Sequence, residues 1–549
     1  MTNKIPQSAA ASREPLPALS DAAGATLEAG GVAVAREYNA ATHFIDRHAH
    51  EGRGAKIAYI EDGGSYTYAD LAARVNRAGH ALKRLGLEME QRVMLCVQDG
   101  IDFAALFWGA VKIGAVPVPV NTMLAAGDYD YLLRDSRAKL LAVSAPLADR
   151  IAPALGGQPS LREVIVCGGA PATIAGRAAH SFDVLVAAAP DGLIAAPTVA
   201  DDVAMWLYSS GSTGRPKGVL HLHRSLVQTA VLYAERVLGI GADDLLFSAS
   251  KMFFAYGLGN SMTFPLHAGA TAVLMAERPT PAAVIRMIRT HRPTIFCGVP
   301  TLYAGMLAEP WLAEAVATSR LRVCTSAGEA LPEAVAREWS ARTGTEILDG
   351  LGSTEALHIF LSNRAGAVRF GTSGTAVGGY ELALRGEDGA ETASDAIGDL
   401  WVRGPSIGAA YWNNRAASSA TFVGGWLRTG DKYLRDADGY YHFAGRSDDM
   451  LKVGGIWVSP FEVEIALMAH PAVREAAVIG AADADELIKP KAFVVLKDGV
   501  LASVALAAEL QDFVKARVAP YKYPRWIEFR DELPRTATGK LKRYALTQS

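Results

Sequence analysis

Apolar residues along the chain follow two patterns, short continuous runs and longer stretches with helical spacing. Residues 92–97 predict a buried strand, and residues 114–119 predict a turn and a second strand. Residues 101–111 between them predict a helix, and a capping position near Ser65 opens an earlier one. The apolar face of that earlier helix is formed by Leu71, Val75, Ala78, Leu82 and Leu85. Because strands alternate with helices, the sequence predicts an α/β fold built on parallel-type sheets.

The same alternation continues through the rest of the chain. Further strands are predicted at residues 204–207, 294–300 (with a turn), 321–325, 473–479 and 492–496. Further helices are predicted from Ser225 onward and at residues 282–290, 460–467 and 504–517. Residues 436–440 have the composition of a hairpin turn. The last hundred residues therefore predict a small α/β unit.

A stretch rich in glycine and hydroxyl residues follows the apolar run 204–207. Glycines let the backbone approach a phosphate closely, and N–H groups, hydroxyls and cations can then hold it. The stretch is not a Walker A loop, because Pro216 stands where that pattern needs a glycine and Gly218 where it needs Ser or Thr. The candidate phosphate-binding residues are Ser209, Ser210, Gly211, Ser212, Thr213, Gly214 and Lys217.

Later stretches carry chemistry suited to a magnesium nucleotide. The glycine-rich turn at residues 349–355 leads to Thr354, which suits a phosphate oxygen, and Glu355, which suits a hard cation. Asp431, predicted at a strand end, can accept both hydroxyls of a ribose. Residues 534–543 are basic, and their composition alone is typical of a solvated tail.

Taken in order, these stretches resemble the motifs of the adenylate-forming superfamily, which contains acyl- and aryl-CoA ligases, peptide-synthetase adenylation domains and luciferases. The resemblance covers the chain from about residue 40 and is strongest to benzoate-CoA ligases, through residues 349–355, 448–455, 457–460 and 522–526. It implies a large N-terminal domain at residues 31–445 that holds the ATP and acid sites. It also implies a mobile C-terminal α/β domain at residues 446–549 and a flexible tail at residues 1–30.

The resemblance implies roles for individual residues. Lys540, Thr354 and Glu355 would be catalytic, with Lys540 bridging the acid carboxylate and the α-phosphate and Glu355 holding Mg²⁺. The ATP- and AMP-binding residues would be those of the phosphate loop together with Gly328, Glu329, Asp349, Gly350, Leu351, Asp431 and Arg446. Leu351 departs from many relatives, which carry an aromatic residue against the adenine at this position.

The resemblance also implies an acid-binding pocket. Its residues would be Phe254, Ala255, Tyr256, Gly257, Ala327, Gly352 and His358. An aromatic residue at 254 suits a flat apolar acid, whereas two glycines among the aromatics of residues 251–260 disfavour a regular strand or helix. The pattern around His358 fits a core histidine as well as a pocket histidine. The hinge would be Asp448, and the CoA tunnel would pass Gly454 and Gly455.

The implied reaction is the ATP-dependent formation of benzoyl-CoA through a benzoyl-adenylate, with release of AMP and pyrophosphate. Mg²⁺ would be the cofactor, and a small aromatic acid, ATP and CoA the substrates. The alternatives are a CoA ligase for a hydroxybenzoate, an aminobenzoate or furoate, an adenylation enzyme that loads a carrier protein, and a non-catalytic nucleotide-binding protein. The combined presence of Lys217, Glu355, Asp431, Arg446 and Lys540 argues against the last.

Composition limits which binding partners and which cellular compartment we expect. The chain has 549 residues, 20% of them charged, and a formal net charge of −3, which does not indicate a nucleic-acid or anionic membrane partner. The four cysteines are far apart and predict buried thiols in a reducing compartment, so we expect a cytoplasmic protein. We keep a homodimer, and acetylation of Lys540, as hypotheses.

Overall fold

The computed structural model describes residues 26–170, 172–209, 215–447, 449–453, 456–483, 487–535 and 541–546. These residues form a mixed α/β protein with large sheets that contain parallel strands, as the alternating pattern predicted. Within this part of the chain, no helix is both long and apolar enough to cross a membrane. The four cysteines are buried and form no disulfides, as their spacing predicted.

The first large sheet contains six strands, and five of them run parallel. In spatial order the strands are Val116–Pro119, Arg92–Cys96, Leu140–Ser144, Glu163–Cys167, Arg177–Ser181 and the short antiparallel Thr173–Ile174. The strand with two prolines lies at the edge, where a missing N–H donor leaves no gap in the sheet.

The second large sheet contains nine described strands and carries several of the predicted site residues. In spatial order they are Thr375–Ala376, Ile359–Ser362, Ile347–Gly352, Val323–Ser326, Ile295–Gly298, Leu245–Ser248, Thr271–Val273, Ile57–Glu61 and Gly64–Thr67. The strands from Ile347–Gly352 to Ile57–Glu61 are parallel, and the outer pairs are antiparallel. Their carboxyl ends therefore meet at the same edge of the sheet.

Helices cover both sheets and begin at caps that the sequence supplies. Thr67 accepts from the N–H of Asp70, whose carboxylate accepts from the N–H of Thr67, and Thr280 caps the helix that starts at Pro281. The longer helices before residue 345 are Tyr68–Arg84, Ile101–Lys112, Ala126–Ser136, His223–Thr229, Pro281–His291, Pro300–Leu307 and Glu333–Thr343. Those predicted at 101–111 and 282–290 are confirmed to within one or two residues.

Two smaller β units that follow residue 200 also belong to the described part of the chain before residue 447. One is a hairpin of Val203–Ser209 with Lys217–Leu222. The other is a five-stranded sheet formed by Glu381–Arg385, Gly398–Arg403, Trp426–Arg435, Phe422–Val423 and Tyr441–Arg446. The turn predicted at residues 436–440 joins two of these strands, and the carboxylate of Asp436 accepts the N–H of Tyr440 at 2.9 Å.

The C-terminal residues form hydrophobic clusters of their own. The principal elements are Pro460–Met468, Val473–Ala482, Ile488–Leu496, Val504–Lys515 and Trp526–Phe529. The three strands form one sheet, with one antiparallel and one parallel pair. This agrees with the predicted small α/β unit, and the exact boundary at 445/446 stays a prediction.

Three local expectations need correction. Residues 26–29, expected in the flexible tail, form a strand paired with Val32–Ala35, because Gly30 and Gly31 take positive φ and close a tight turn. Residues 251–260 were expected to avoid regular structure, yet the chain turns helical at Ala255. Asp431 was expected at a strand end and lies within the strand Trp426–Arg435.

The helices Tyr68–Arg84 and Ile101–Lys112 cross where both carry a glycine. A Cβ built on Gly109 would lie 2.8 Å from the backbone nitrogen of Gly79 and 3.0 Å from the backbone oxygen of Val75. Both obstacles are backbone atoms, which cannot rotate out of the way. The close crossing therefore depends on the absence of a side chain at 109.

We expect Gly109→Ala to destabilise the protein by about 1–3 kcal/mol, because the added methyl group overpacks a backbone contact. The measurement is the midpoint of thermal unfolding, which should fall by several degrees. Gly127→Ala is the matched control, because that glycine is also helical and its built Cβ meets no atom within 4 Å. A variant at 109 as stable as the wild type would show that the helices can separate without cost.

Candidate active site

The loops after two neighbouring parallel strands bring the first group of predicted residues together. Ser326 at the end of Val323–Ser326 is in register with Asp349 in Ile347–Gly352. Ala327 is buried, and Gly328 is exposed with a φ of +99° that favours glycine. The loop of Ala327, Gly328 and Glu329 therefore lies beside the strand that carries Gly350, Leu351 and Gly352.

Close backbone contacts explain the glycines in that strand. A Cβ on Gly352 would lie 2.6 Å from the carbonyl oxygen of His358, and one on Gly350 would lie 3.0 Å from that of Leu361. Asp349 is buried and its Oδ1 has no hydrogen-bond partner among the described residues. Burial raises the pKa of this carboxyl well above its usual range. Leu351 is half-buried. It stands at the position where the resemblance leads one to expect an aromatic residue.

Thr354 and Glu355 follow this strand and are tied to the protein through their backbone. The carbonyl of Thr354 accepts the Nε2 proton of His221 at 2.9 Å, which fixes the tautomer of a fully buried imidazole. Burial lowers the pKa of His221 to about 4, so it is neutral at pH 7. The carbonyl of Glu355 accepts the N–H of Gly408 at 2.8 Å.

Lys217 opens the second strand of the hairpin whose strands flank the predicted phosphate loop in sequence. It is in register with Ser209, the last described residue before the loop. The Nζ of Lys217 lies 4.4 Å from the ring centroid of Tyr411, and the hydroxyl of Tyr411 donates to Oε1 of Glu355 at 2.8 Å. The structure therefore brings Lys217 and Glu355 to one tyrosine, the lysine over its ring and the glutamate at its hydroxyl.

The predicted acid-binding residues lie at a turn that leads into a helix. Phe254 is the N-cap of the helical turn Ala255–Leu258, and a Cβ on Gly257 would lie 2.1 Å from the carbonyl oxygen of Lys251. This contact is the physical reason for the helical start, since only glycine allows the chain to fold back so closely. The hydroxyl of Tyr256 is 2.6 Å from that of Thr325, which joins this segment to the nine-stranded sheet.

His358 lies among aromatic rings next to the predicted acid-binding segment. Its ring is 5.6 Å from that of Tyr256 and 4.4 Å from that of Phe264, and Nε2 lies 3.4 Å from the carbonyl oxygen of Tyr256. Burial lowers its pKa to about 3. Its Nδ1 is buried without a partner in the described part of the chain, so a neutral imidazole there can accept a hydrogen bond.

Asp431 and Arg446 meet across two paired strands. They are directly opposite each other in the register, and Nη1 of Arg446 is 2.8 Å from Oδ1 of Asp431. Asp431 is 7% exposed, whereas the Arg446 side chain is 42% exposed. The two residues predicted to bind the ribose are therefore in direct contact with each other. The within-strand position of Asp431 explains this, because the register fixes its partner.

Several predicted residues lie outside the described residues. They are Ser210, Gly211, Ser212, Thr213 and Gly214 of the phosphate loop, Asp448 at the predicted hinge, Gly454 and Gly455 at the predicted tunnel, and Lys540. Their roles stay predictions.

Sequence reasoning missed Tyr411, His221 and Asp99. Asp99 is buried and its carboxylate accepts the N–H of Met252 at 3.1 Å, at the start of the acid-binding segment. Burial raises the pKa of Asp99 to about 6. Each of these side chains contacts a segment more than fifty residues away in the chain, and local periodicity holds no signal for such contacts.

Magnesium suits the oxygen atoms present. No group of three or more His, Cys, Asp or Glu side chains that could hold a metal occurs among the described residues. Mg²⁺ in nucleotide sites usually takes one or two carboxylates and completes its shell with phosphates and water. Glu355, half-buried, with one oxygen on Tyr411, fits that arrangement.

Comparisons with known proteins agree with this geometry. The AMP-binding enzyme family model matches residues 45–412, and the model of the AMP-binding enzyme C-terminal domain matches residues 462–540. The chain is 57% identical to a benzoate–CoA ligase of Thauera aromatica, over 94% of this chain and 97% of that protein. It is 50% identical to a 4-hydroxybenzoate–CoA/benzoate–CoA ligase of Rhodopseudomonas palustris, over 93% of this chain and 94% of that protein.

The chain is also similar to solved structures of aryl-CoA ligases. A benzoate CoA ligase from Burkholderia xenovorans is 49% identical, with a TM-score of 0.86, over 93% of this chain and 99% of that one. An anthranilate CoA ligase in complex with anthranoyl-AMP is 42% identical, with a TM-score of 0.89, over 94% of this chain and 98% of that one. The chain belongs to the AMP-binding enzyme family.

Proposed function

We propose that the protein is an ATP-dependent aryl-CoA ligase that makes benzoyl-CoA through a benzoyl-adenylate. The observation that carries this function is the 57% identity to a benzoate–CoA ligase over nearly the whole of both chains. The side chains of Lys217, Glu355, Asp431 and Arg446 support it, since they lie in two groups suited to phosphates and to a ribose.

In the first half-reaction a carboxylate oxygen of the acid attacks the α-phosphorus of ATP. The bond from that phosphorus to the bridging oxygen breaks, and pyrophosphate leaves with the electron pair. An anion here attacks a polyanion, so the site must supply positive charge and alignment. Lys217 would hold the outer phosphates and Lys540 would bridge the carboxylate and the α-phosphate. Mg²⁺, when bound near Glu355, would neutralise phosphate charge.

In the second half-reaction the CoA sulfur attacks the carbonyl carbon of the mixed anhydride. The bond from that carbon to the phosphate oxygen breaks, AMP leaves, and the thiol proton passes to solvent. We propose that the C-terminal domain turns about Asp448 between the two steps. That turn would remove Lys540 and bring Gly454 and Gly455 to the entering thiol.

Substituted benzoates are the second candidate substrates. The buried Nδ1 of His358 lacks a partner in the described residues and could accept a hydrogen bond from a ring hydroxyl or amino group. Its pKa of about 3 keeps it a neutral acceptor at pH 7. A site built for such a hydrogen bond discriminates strongly against acids that cannot form it.

A panel of acids tests the function. We expect thioester formation with ATP, Mg²⁺ and CoA to be fastest with benzoate among benzoate, its hydroxy and amino derivatives, furoate and short fatty acids. AMP should appear in step with thioester, and chelation of Mg²⁺ should stop both. Preference for a hydroxy- or aminobenzoate would select the second candidate. Acyl-adenylate that free CoA cannot discharge would indicate a carrier protein as acceptor.

Lys540→Ala separates the half-reactions. We expect benzoyl-adenylate formation to fall by roughly a hundredfold or more, because the variant lacks the cation at the reacting oxygen. Conversion of supplied benzoyl-adenylate to thioester should be retained, as should both steps in the control Lys542→Ala. Equal loss of both steps in Lys540→Ala would refute the role given to this lysine. Acetylation of Lys540 would act like the substitution, because it removes the same charge.

Asp448→Pro tests the hinge. Proline fixes φ, so we expect adenylation to be retained while thioester formation falls by about tenfold or more. Asp448→Ala is the control, since it removes the carboxylate and leaves φ free. Rapid kinetics of each half-reaction supply the measurement. If the proline variant makes thioester as fast as the wild type, residue 448 is not the hinge.

A further inference from the structure

One buried tyrosine touches two residues to which the proposed function gives separate tasks. The hydroxyl of Tyr411 donates to Oε1 of Glu355 at 2.8 Å, and its ring face lies 4.4 Å from Nζ of Lys217. Glu355 and Lys217 are 138 positions apart in the sequence and share this one neighbour. A single side chain therefore sets the separation of a carboxylate and an ammonium group.

The backbone around Tyr411 holds it in place on both sides. Val219 and Tyr411 form an antiparallel bridge, and the N–H of Trp412 donates to the carbonyl of Gly218 at 2.7 Å. On the other side the N–H of Gly408 donates to the carbonyl of Glu355 at 2.8 Å. Residues 408–412 thus join the strand that begins at Lys217 to the loop of Glu355.

The approach of these segments leaves no room for a side chain at 408. A Cβ built on Gly408 would lie 2.7 Å from a methyl carbon of Val219 and 3.4 Å from the carbonyl oxygen of Glu355. The side chain of Tyr411 is itself packed, with its ring 5.2 Å from that of Phe422 and only 5% of the residue exposed. The tyrosine therefore has little freedom to leave Glu355.

The hydrogen bond to Glu355 makes the tyrosine a donor. A carboxylate oxygen accepts, so the hydroxyl of Tyr411 supplies the proton of this bond. A neutral donor restrains one oxygen of Glu355 without cancelling its charge, which leaves the carboxylate able to attract a cation.

We infer that Tyr411 is a positioning residue for the first half-reaction. Its hydroxyl orients Glu355 and its ring holds the ammonium group of Lys217, so that carboxylate and cation face the same triphosphate. The inference rests on the proposed function and adds a residue to it. It gives Tyr411 no task in the second half-reaction, in which no triphosphate takes part.

Tyr411→Phe is the decisive variant, because it deletes the hydroxyl and keeps the ring over Lys217. We expect the rate of benzoyl-adenylate formation to fall about tenfold to a hundredfold, the effect of one hydrogen bond to a charged group. Thioester formation from supplied benzoyl-adenylate should match the wild type. Tyr129→Phe is the control, since it deletes the hydroxyl of another fully buried tyrosine, which donates to the carbonyl of Asn121 at 2.8 Å.

Binding supplies a readout independent of turnover. Calorimetric titration with an ATP analogue carrying a methylene group between the α- and β-phosphates should show weaker binding to Tyr411→Phe in Mg²⁺. In EDTA the same variant should bind like the wild type, because its ring still covers Lys217. Tyr411→Leu, which lacks ring and hydroxyl, should bind more weakly under both conditions.

A double variant tests the link to Glu355. If the hydroxyl acts through that carboxylate, adding Tyr411→Phe to Glu355→Gln should change adenylation by less than it does in the wild type. Equal loss of both half-reactions in Tyr411→Phe, unchanged adenylation, or full additivity with Glu355→Gln would each overturn the inference. A wild-type protein that forms no acyl-adenylate would instead refute the proposed function, so the two failures are distinguishable.

Discussion

The pairing of residues 409–412 with the strand Lys217–Leu222 is the interaction on which the candidate site depends. Among the described residues, the hairpin Val203–Ser209/Lys217–Leu222 has two strands, and such a pair is marginally stable alone. The N–H of Leu220 donates to the carbonyl of Ala410 and that of Ala409 donates to the carbonyl of Leu220, which adds a second row of backbone hydrogen bonds. Since the N–H of Gly408 also donates to the carbonyl of Glu355, the same segment positions the strand Lys217–Leu222 relative to the nine-stranded sheet.

Burial keeps the histidines around the candidate site uncharged. His221 and His358 are buried, and burial lowers the pKa of each to about 4 and about 3, so both are neutral at pH 7. They supply hydrogen bonds without charge, one to the backbone of Thr354 and one beside Tyr256. In such a low-dielectric environment the few remaining charges would act strongly on a phosphate, were one bound there as proposed. The electrostatic field at the candidate site therefore comes from a small number of cations and carboxylates.

The sequence predicts well what depends on local patterns. The helix Ile101–Lys112, the turn at 436–440 and the strand Val323–Ser326 follow from apolar spacing or turn composition. It fails where a distant contact decides the local structure. Gly257 enters a helix because only glycine allows contact with Lys251, and Asp431 lies within a strand because Arg446 pairs with it. Tyr411 gave no signal, since its partners are 56 and 194 positions away in the sequence.

The placement of the described groups also bears on the division of the reaction. Lys217, Tyr411, Glu355, Asp431 and Arg446 all precede residue 447 and are connected by strands and hydrogen bonds. The adenosine part of a nucleotide bound at Asp431 and Arg446 would keep its contacts while a later segment moved. Only the charge needed at the reacting oxygen would then have to change between the half-reactions. The lysine proposed for this step, Lys540, belongs to the C-terminal part of the chain, so its departure would leave the ribose contacts intact while the thiol enters.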